Sequence, residues 1–222
     1  MKKRKTIIAA VVLLLVFVVG GAIAYFTDTD SATNTFTIGN VDITLTEPLW
    51  TQLSKTEGDT NLVDDAENMM PGEDVTKDPT INNVSTKNDA YVFAKVVVPC
   101  SNVIATDDPD DTETPVELFT YTVNTGWTEL TSEAVACTAG GTATHVYYYG
   151  TGSLTKLNKA ASASAPTSTS TPLFSKVTLL GTLKSADIPA TPANKEIVVT
   201  AYGIQADGLA STVPATVWGY FA

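Results

Sequence analysis

The chain carries one imidazole, and that single fact bounds the chemistry open to it. His145 sits in the run THVYYYG. A zinc hydrolase built on a helix needs two histidines four residues apart, so that both rings share one face with a glutamate base beside them. No HExxH is present and no second histidine exists to complete one. A Ser-His-Asp triad is formally open to His145, but there is no GxSxG turn to lift a serine onto a strained elbow. Cys100 and Cys137 are the only cysteines and lack CxxC spacing. A Cys–His nucleophile needs a thiolate, which a disulfide would remove. Hard oxygen ligands are more plentiful: Asp107, Asp108, Asp110 and Asp111 surround Pro109, and Asp28 and Asp30 alternate further upstream. Neither group has the glycine and terminal glutamate of an EF-hand loop. Solvated acidic loops are the expectation, with weak extracellular calcium binding as the alternative. No catalytic, cofactor-binding or metal-binding residue is assigned, and His145 reads as a strand residue on the face opposite Val146.

The elements that would position any site are strands. Hydrophobic residues make up 44 % of the 222 and charged residues 17 %, enough apolar material for a packed core. Four of the 13 basic residues, Lys2, Lys3, Arg4 and Lys5, lie at the N-terminus, followed by an uncharged apolar run over residues 7–24. The run ends Ala22-Ile23-Ala24, a small-x-small pattern that a signal peptidase reads, making Tyr25 the first mature residue. An uncleaved anchor is the rival reading, since 18 residues at 1.5 Å rise reach about 27 Å. Cleavage would leave nine lysines facing 24 acids, a net charge of −15. Such a surface repels phosphate backbones, so nucleic acid is excluded as a partner, and the membrane is met only through the signal segment. Export also favours a bridge between Cys100 and Cys137, against the alternative of two buried thiols that never meet.

Past the leader, apolar residues alternate at Phe36 and Ile38, then, after Gly39-Asn40, at Val41, Ile43 and Leu45. That is a half-buried strand with a register shift at the Gly-Asn step. Residues 91–98 fit a strand covered on both faces and stopped by Pro99. Residues 118–124, 144–149, 173–180 and 196–205 are further strands, each enriched in β-branched or aromatic residues. Three stretches read as surface loops: 57–78 with eight acids, 107–117 with six, and the Ala/Ser/Thr/Pro-rich 159–172. Ser211 or Thr212 is expected to cap a short helix with Pro214 in its first turn, laying Trp218 on the body. The expected fold is all-β, an antiparallel β-sandwich of jelly-roll or Ig-like type preceded by an N-terminal signal helix.

Three blocks carry a resemblance. AYFTDTDSATNTFTIGNVDITLTE (24–47) straddles the cleavage site, and MPGEDVTKDPTINNVSTKNDAYVFAKVVVP (70–99) and VVTAYGIQADGL (198–209) follow in order. Together they resemble the TasA/camelysin family of Gram-positive proteins exported through the SipW-type signal peptidase. The resemblance implies residues 1–24 as signal peptide and 25–222 as one β-sandwich domain. Residues 100–172 match no family block and read as an insertion. It also implies secretion to the cell surface or extracellular matrix and, in the TasA branch, fibres in which one subunit's N-terminal segment is donated to the next as a β-strand. Camelysin itself is described as a surface metalloprotease acting on casein, but the missing HExxH leaves that label without residues here.

The arm over residues 25–38 has the physics for donation. Paired with an open sheet edge, it would satisfy a row of backbone groups while Phe26, Phe36 and Ile38 fill pockets. Each such anchor contributes about 1.5–3 kcal/mol. The contact is head to tail and need not close, so it grows filaments of self, with other matrix proteins as possible partners. The alternative is that the arm folds back as the first strand of its own domain. A camelysin-like surface protease and a membrane-tethered adhesion module remain the competing functions. Intact-mass measurement of the exported protein separates the last of these: loss of residues 1–24 is expected, and retention of them would establish the tether.

Overall fold

The computed structural model describes residues 35–38, 41–49, 69–103, 114–138, 140–162, 168–182 and 196–222. The signal segment, Gly39-Asn40 and the two aspartate groups lie outside them. Twelve strands follow in chain order: β1 (Thr35–Ile38), β2 (Ile43–Thr46), β3 (Asp74–Thr76), β4 (Thr80–Asn83), β5 (Ala90–Val103), β6 (Thr114–Glu117), β7 (Phe119–Tyr121), β8 (Trp127–Glu129), β9 (Thr142–Tyr149), β10 (Ser168–Thr169), β11 (Lys176–Leu179) and β12 (Val198–Gln205). A 3₁₀ turn (Thr131–Glu133) and a short helix α1 (Pro214–Trp218) complete them. The fold is all-β and sandwich-like, as the strand pattern predicts.

The main sheet runs β1-β12-β5-β9-β8, with β6 added along the far end of β5. Two three-stranded sheets, β10-β4-β2 and β3-β11-β7, supply the facing layer. Every pairing is antiparallel except β1 with β12. Period-2 geometry divides β5 cleanly. Ala94, Val96 and Val98 point into the core between the layers, with Ile81, Phe174, Val177 and Ala201. Tyr91 and Phe93 point the other way, into a second cluster with Val146, Tyr148, Ile204, Val217 and Trp218. The inner layers approach so closely that Gly203 of β12 has no room for a side chain. A Cβ there would lie 2.9 Å from the Ile43 side chain.

The second cluster is closed by the C-terminus. Trp218 packs 5.6 Å from Phe93 and 4.9 Å from Tyr202 between ring centroids, and Phe221 lies against the same two rings. Pro214 opens α1 as expected, but Val213 and not Ser211 or Thr212 holds the cap position. The Ser211 hydroxyl instead accepts the Val213 backbone N–H at 3.1 Å, one step ahead of the helix.

Four further expectations are corrected. Pro99 does not stop β5, which continues to Val103. The reason is positional: β12 pairs only as far as Val97, β6 begins at Cys100, and the side of Pro99 that lacks a donor faces the gap between them. On the other side Cys100 donates to the Gly141 carbonyl at 2.9 Å, so the ladder with β9 is unbroken. Residues 107–117 are not all loop, since β6 occupies their last four positions. Nor are residues 57–78, whose end contains β3 and the buried Asp78, which accepts the Leu49 N–H. The stretch 159–172 is no free excursion in its described part. Ser170 is buried with its hydroxyl accepting the Ile81 N–H, and the Thr171 carbonyl accepts the Trp127 indole N–H at 2.8 Å. Residues 100–172 contribute β6 to β10, and β9 is an interior strand of the main sheet.

One side chain ties the strand-turn-strand of the second block together. Asn83 is fully buried. Its amide donates toward the carbonyls of Asn88, Leu157 and Asn158 at 3.0–3.2 Å, and its oxygen accepts the Ser85 N–H. Asn83→Ala leaves these groups unsatisfied inside the core and is expected to lower unfolding free energy by about 3 kcal/mol, read from urea denaturation.

Candidate functional site

Two places combine the features that the sequence singles out. The first is the β1 end of the main sheet. β1 is a terminal strand of that sheet, and its register sets Thr35, Phe36, Thr37 and Ile38 opposite Ala201, Tyr202, Gly203 and Ile204. Phe36 and Ile38 thus sit at the register positions of Tyr202 and Ile204, whose side chains belong to the outer aromatic cluster. Parallel pairing here has β1 enter the sheet from the same end as β12, opposite to β5 on the other side of β12. Ala22, Ala24, Tyr25 and Phe26 lie outside the described residues. The strand Thr35–Ile38 is paired within its own chain.

The second place is built around His145. Antiparallel pairing puts His145 opposite Val96, on the inner face of the main sheet, while Val146 points outward. An imidazole on that face needs polar partners, and two carboxylates supply them. Glu129 of β8, two positions along the ladder, approaches Nδ1 at 2.7 Å, and Glu117 of β6 approaches Nε2 at 2.9 Å. The ring stacks on Tyr147 and meets Tyr121 edge-on. The hydroxyls of Tyr121 and Tyr147 lie 3.0 Å apart, joining the facing layer to the main sheet. An open cavity of about 570 Å³ is lined by these five residues together with Cys137.

The electrostatics follow from this geometry. The hydrogen bond to Glu117, and then that to Glu129, lift His145 from 6.5 to about 9 against burial, which pulls it down. At neutral pH the ring is an imidazolium donating one N–H to each carboxylate. Burial pushes Tyr147 up to about 12 and raises Tyr121 as well, so both phenols keep their protons. Beneath Glu117, Cys100 and Cys137 are joined in a disulfide with sequence separation 37. In the chain-entropy account a loop of that size contributes about 4 kcal/mol.

The arrangement defines a disulfide-bridged β-sandwich with a charged aromatic cluster at its rim. The description camelysin metallo-endopeptidase matches residues 1–133, more than half of the chain, and the chain belongs to that family. The match extends past residue 100 into β6, β7 and β8. No curated protein and no solved structure matches the chain.

The family description implies a metal, and the His145 cluster does not fit one. Glu117 and Glu129 lie on opposite nitrogens of the ring, so no single point is shared by all three groups. Among the described residues no group of three His, Cys, Asp or Glu side chains converges on a metal position. Two neighbours of His145 found here, Glu117 and Glu129, carried no sequence signal as partners. They stand 28 and 16 residues away, and only strand register brings them to the ring. A ring protonated on both nitrogens has no lone pair for a metal. Titration with Zn²⁺ at pH 7 is therefore expected to leave the NMR signals of the His145 ring in place, and broadening or shift of those signals at sub-millimolar zinc would contradict the arrangement.

Proposed function

We propose that the chain is a cell-surface structural subunit that is freed from its leader after Ala24 and polymerises head to tail by exchange of β1 between copies. The observation that supports this most is the position of β1: four residues at the end of the main sheet, paired among the described residues to β12 alone, with residues 25–34 ahead of it in the chain. A strand of that kind exchanges without change of register. The slot opposite Ala201–Ile204 accepts the Thr35–Ile38 of a neighbouring copy through the same backbone bonds. The bonds lost within one chain equal those gained between two, so concentration and the added anchor Phe26 tip the balance. A charge of −15 on the mature chain opposes approach at long range, and salt screens that repulsion.

In this reading the partners are further copies of the chain, other matrix proteins, and a SipW-type signal peptidase during export. The location is the matrix or surface of a Gram-positive cell. The rival, a camelysin-type surface protease, draws its support from the family description.

Electron microscopy and sedimentation of protein beginning at Tyr25, compared with protein beginning at Gly39, test the proposal. The longer form is expected to build fibres, faster at 0.5 M than at 0.05 M salt, and the shorter to stay a folded monomer. Fibres of equal length from the shorter form would refute strand exchange. A chelator-sensitive caseinolytic activity in the longer form would favour the protease.

A further inference from the structure

We infer that His145 is a proton-held staple whose two ring N–H groups clamp the margins β6 and β8 onto β9, so that loss of one proton releases those margins while the centre of the main sheet stays closed. The inference is independent of how the chain assembles. It starts from an asymmetry in the sheet. β5, β9 and β12 are long and joined by ladders of seven or eight pairs. Among the described residues, β8 is three residues long and pairs with β9 alone, and β6 is four residues long and pairs with the outer end of β5 alone. Short strands with one neighbour have few backbone bonds to hold them and open first. Each of these two carries one glutamate to the same imidazole, Glu117 from β6 and Glu129 from β8.

The chemistry of the ring lets both margins be held at once only in its doubly protonated form. An imidazolium donates from both nitrogens and matches two carboxylates. Neutral imidazole keeps one N–H, and its other nitrogen turns a lone pair toward a carboxylate oxygen less than 3 Å away. The three groups then carry two negative charges in a partly buried cleft with no proton between one pair. One glutamate must leave, and because either nitrogen can keep the proton, each margin is held for only part of the time, with Trp127 of β8 still anchored on the Thr171 carbonyl.

Among the described residues, no other group facing the ring titrates in the same range. Facing the ring are Glu117 from β6, Tyr121 from β7, Glu129 from β8, Tyr147 from β9, Val96 from β5, and Cys137, which is held in the disulfide. Both phenols are raised above their ordinary value of 10. The sign follows from His145 standing above its unfolded value. The clamp's contribution to stability is full below about 6.5 and is lost as pH rises through about 9.

Hydrogen exchange of the full mature chain between pH 7 and 10, corrected for the intrinsic rise of exchange with pH, reads the release directly. The sole histidine also gives an unambiguous ring signal by NMR. Protection of the Val116 and Thr128 amides, which face Ser101 and Tyr148 in the ladders, is expected to fall by about tenfold or more in step with the ring titration near 9, while the Phe93, Ala94 and Val96 amides hold. Glu117→Gln and Glu129→Gln keep the shape of the side chains and should each move both midpoints downward together. The wild-type profile decides the matter alone if a variant fails to fold. A ring titration near 6.5, pH-independent protection of β6 and β8, or loss of protection at all sites together would overturn the inference.

Discussion

From Ala90 to Val98 the strand β5 is covered on both faces, and the rest of the molecule is arranged by that constraint. Its odd and even residues enter different cores, so apolar material is needed above and below a single strand. On one side the two small sheets supply it. On the other, where no sheet is present among the described residues, the C-terminal turn supplies Trp218 and Phe221. A chain of modest size thus builds one extended core and one compact aromatic core on opposite sides of the same β-ladder.

The same constraint explains where polar groups collect. Inside the sandwich Asn83 and Asp78 are satisfied by hydrogen bonds, because a buried donor or acceptor without a partner costs more than the hydrogen bond returns, and among the described side chains Asn102 Oδ1 is the buried exception. At the rim, where β6 and β8 end the layer, an imidazole and two carboxylates satisfy one another and remain open to solvent on one side. That is a poor place to hold a metal and a suitable place to hold a proton. The family description names a metallo-endopeptidase, while this chain spends its one imidazole on joining strands.

Much of the fold was legible because burial writes itself as alternation. The run 91–98 announces a doubly covered strand, and THVYYY announces that His145 and Val146 face opposite ways; both hold in the structure. What misled was composition. Pro99 reads as a stop, yet its missing donor falls between two partner strands. Ala/Ser/Thr/Pro-rich 159–172 reads as a free loop. Its described residues instead use small hydroxyls and backbone carbonyls to reach Ile81 and Trp127. A segment without bulky side chains is exposed only if its backbone groups are, and no local pattern reports that.

By itself the sequence determined the all-β class, the inward and outward faces of the long strands, the limit of one imidazole and one cysteine pair, and the family, since each depends on residue types and short periods. Tertiary structure alone decided that β1 lies parallel beside β12, that Cys100 meets Cys137, and that Glu117 and Glu129 share one imidazole. These are meetings of residues 16 to more than 160 positions apart. Strand register fixes them, and register is set by the packing of whole sheets and not by any neighbour in the chain.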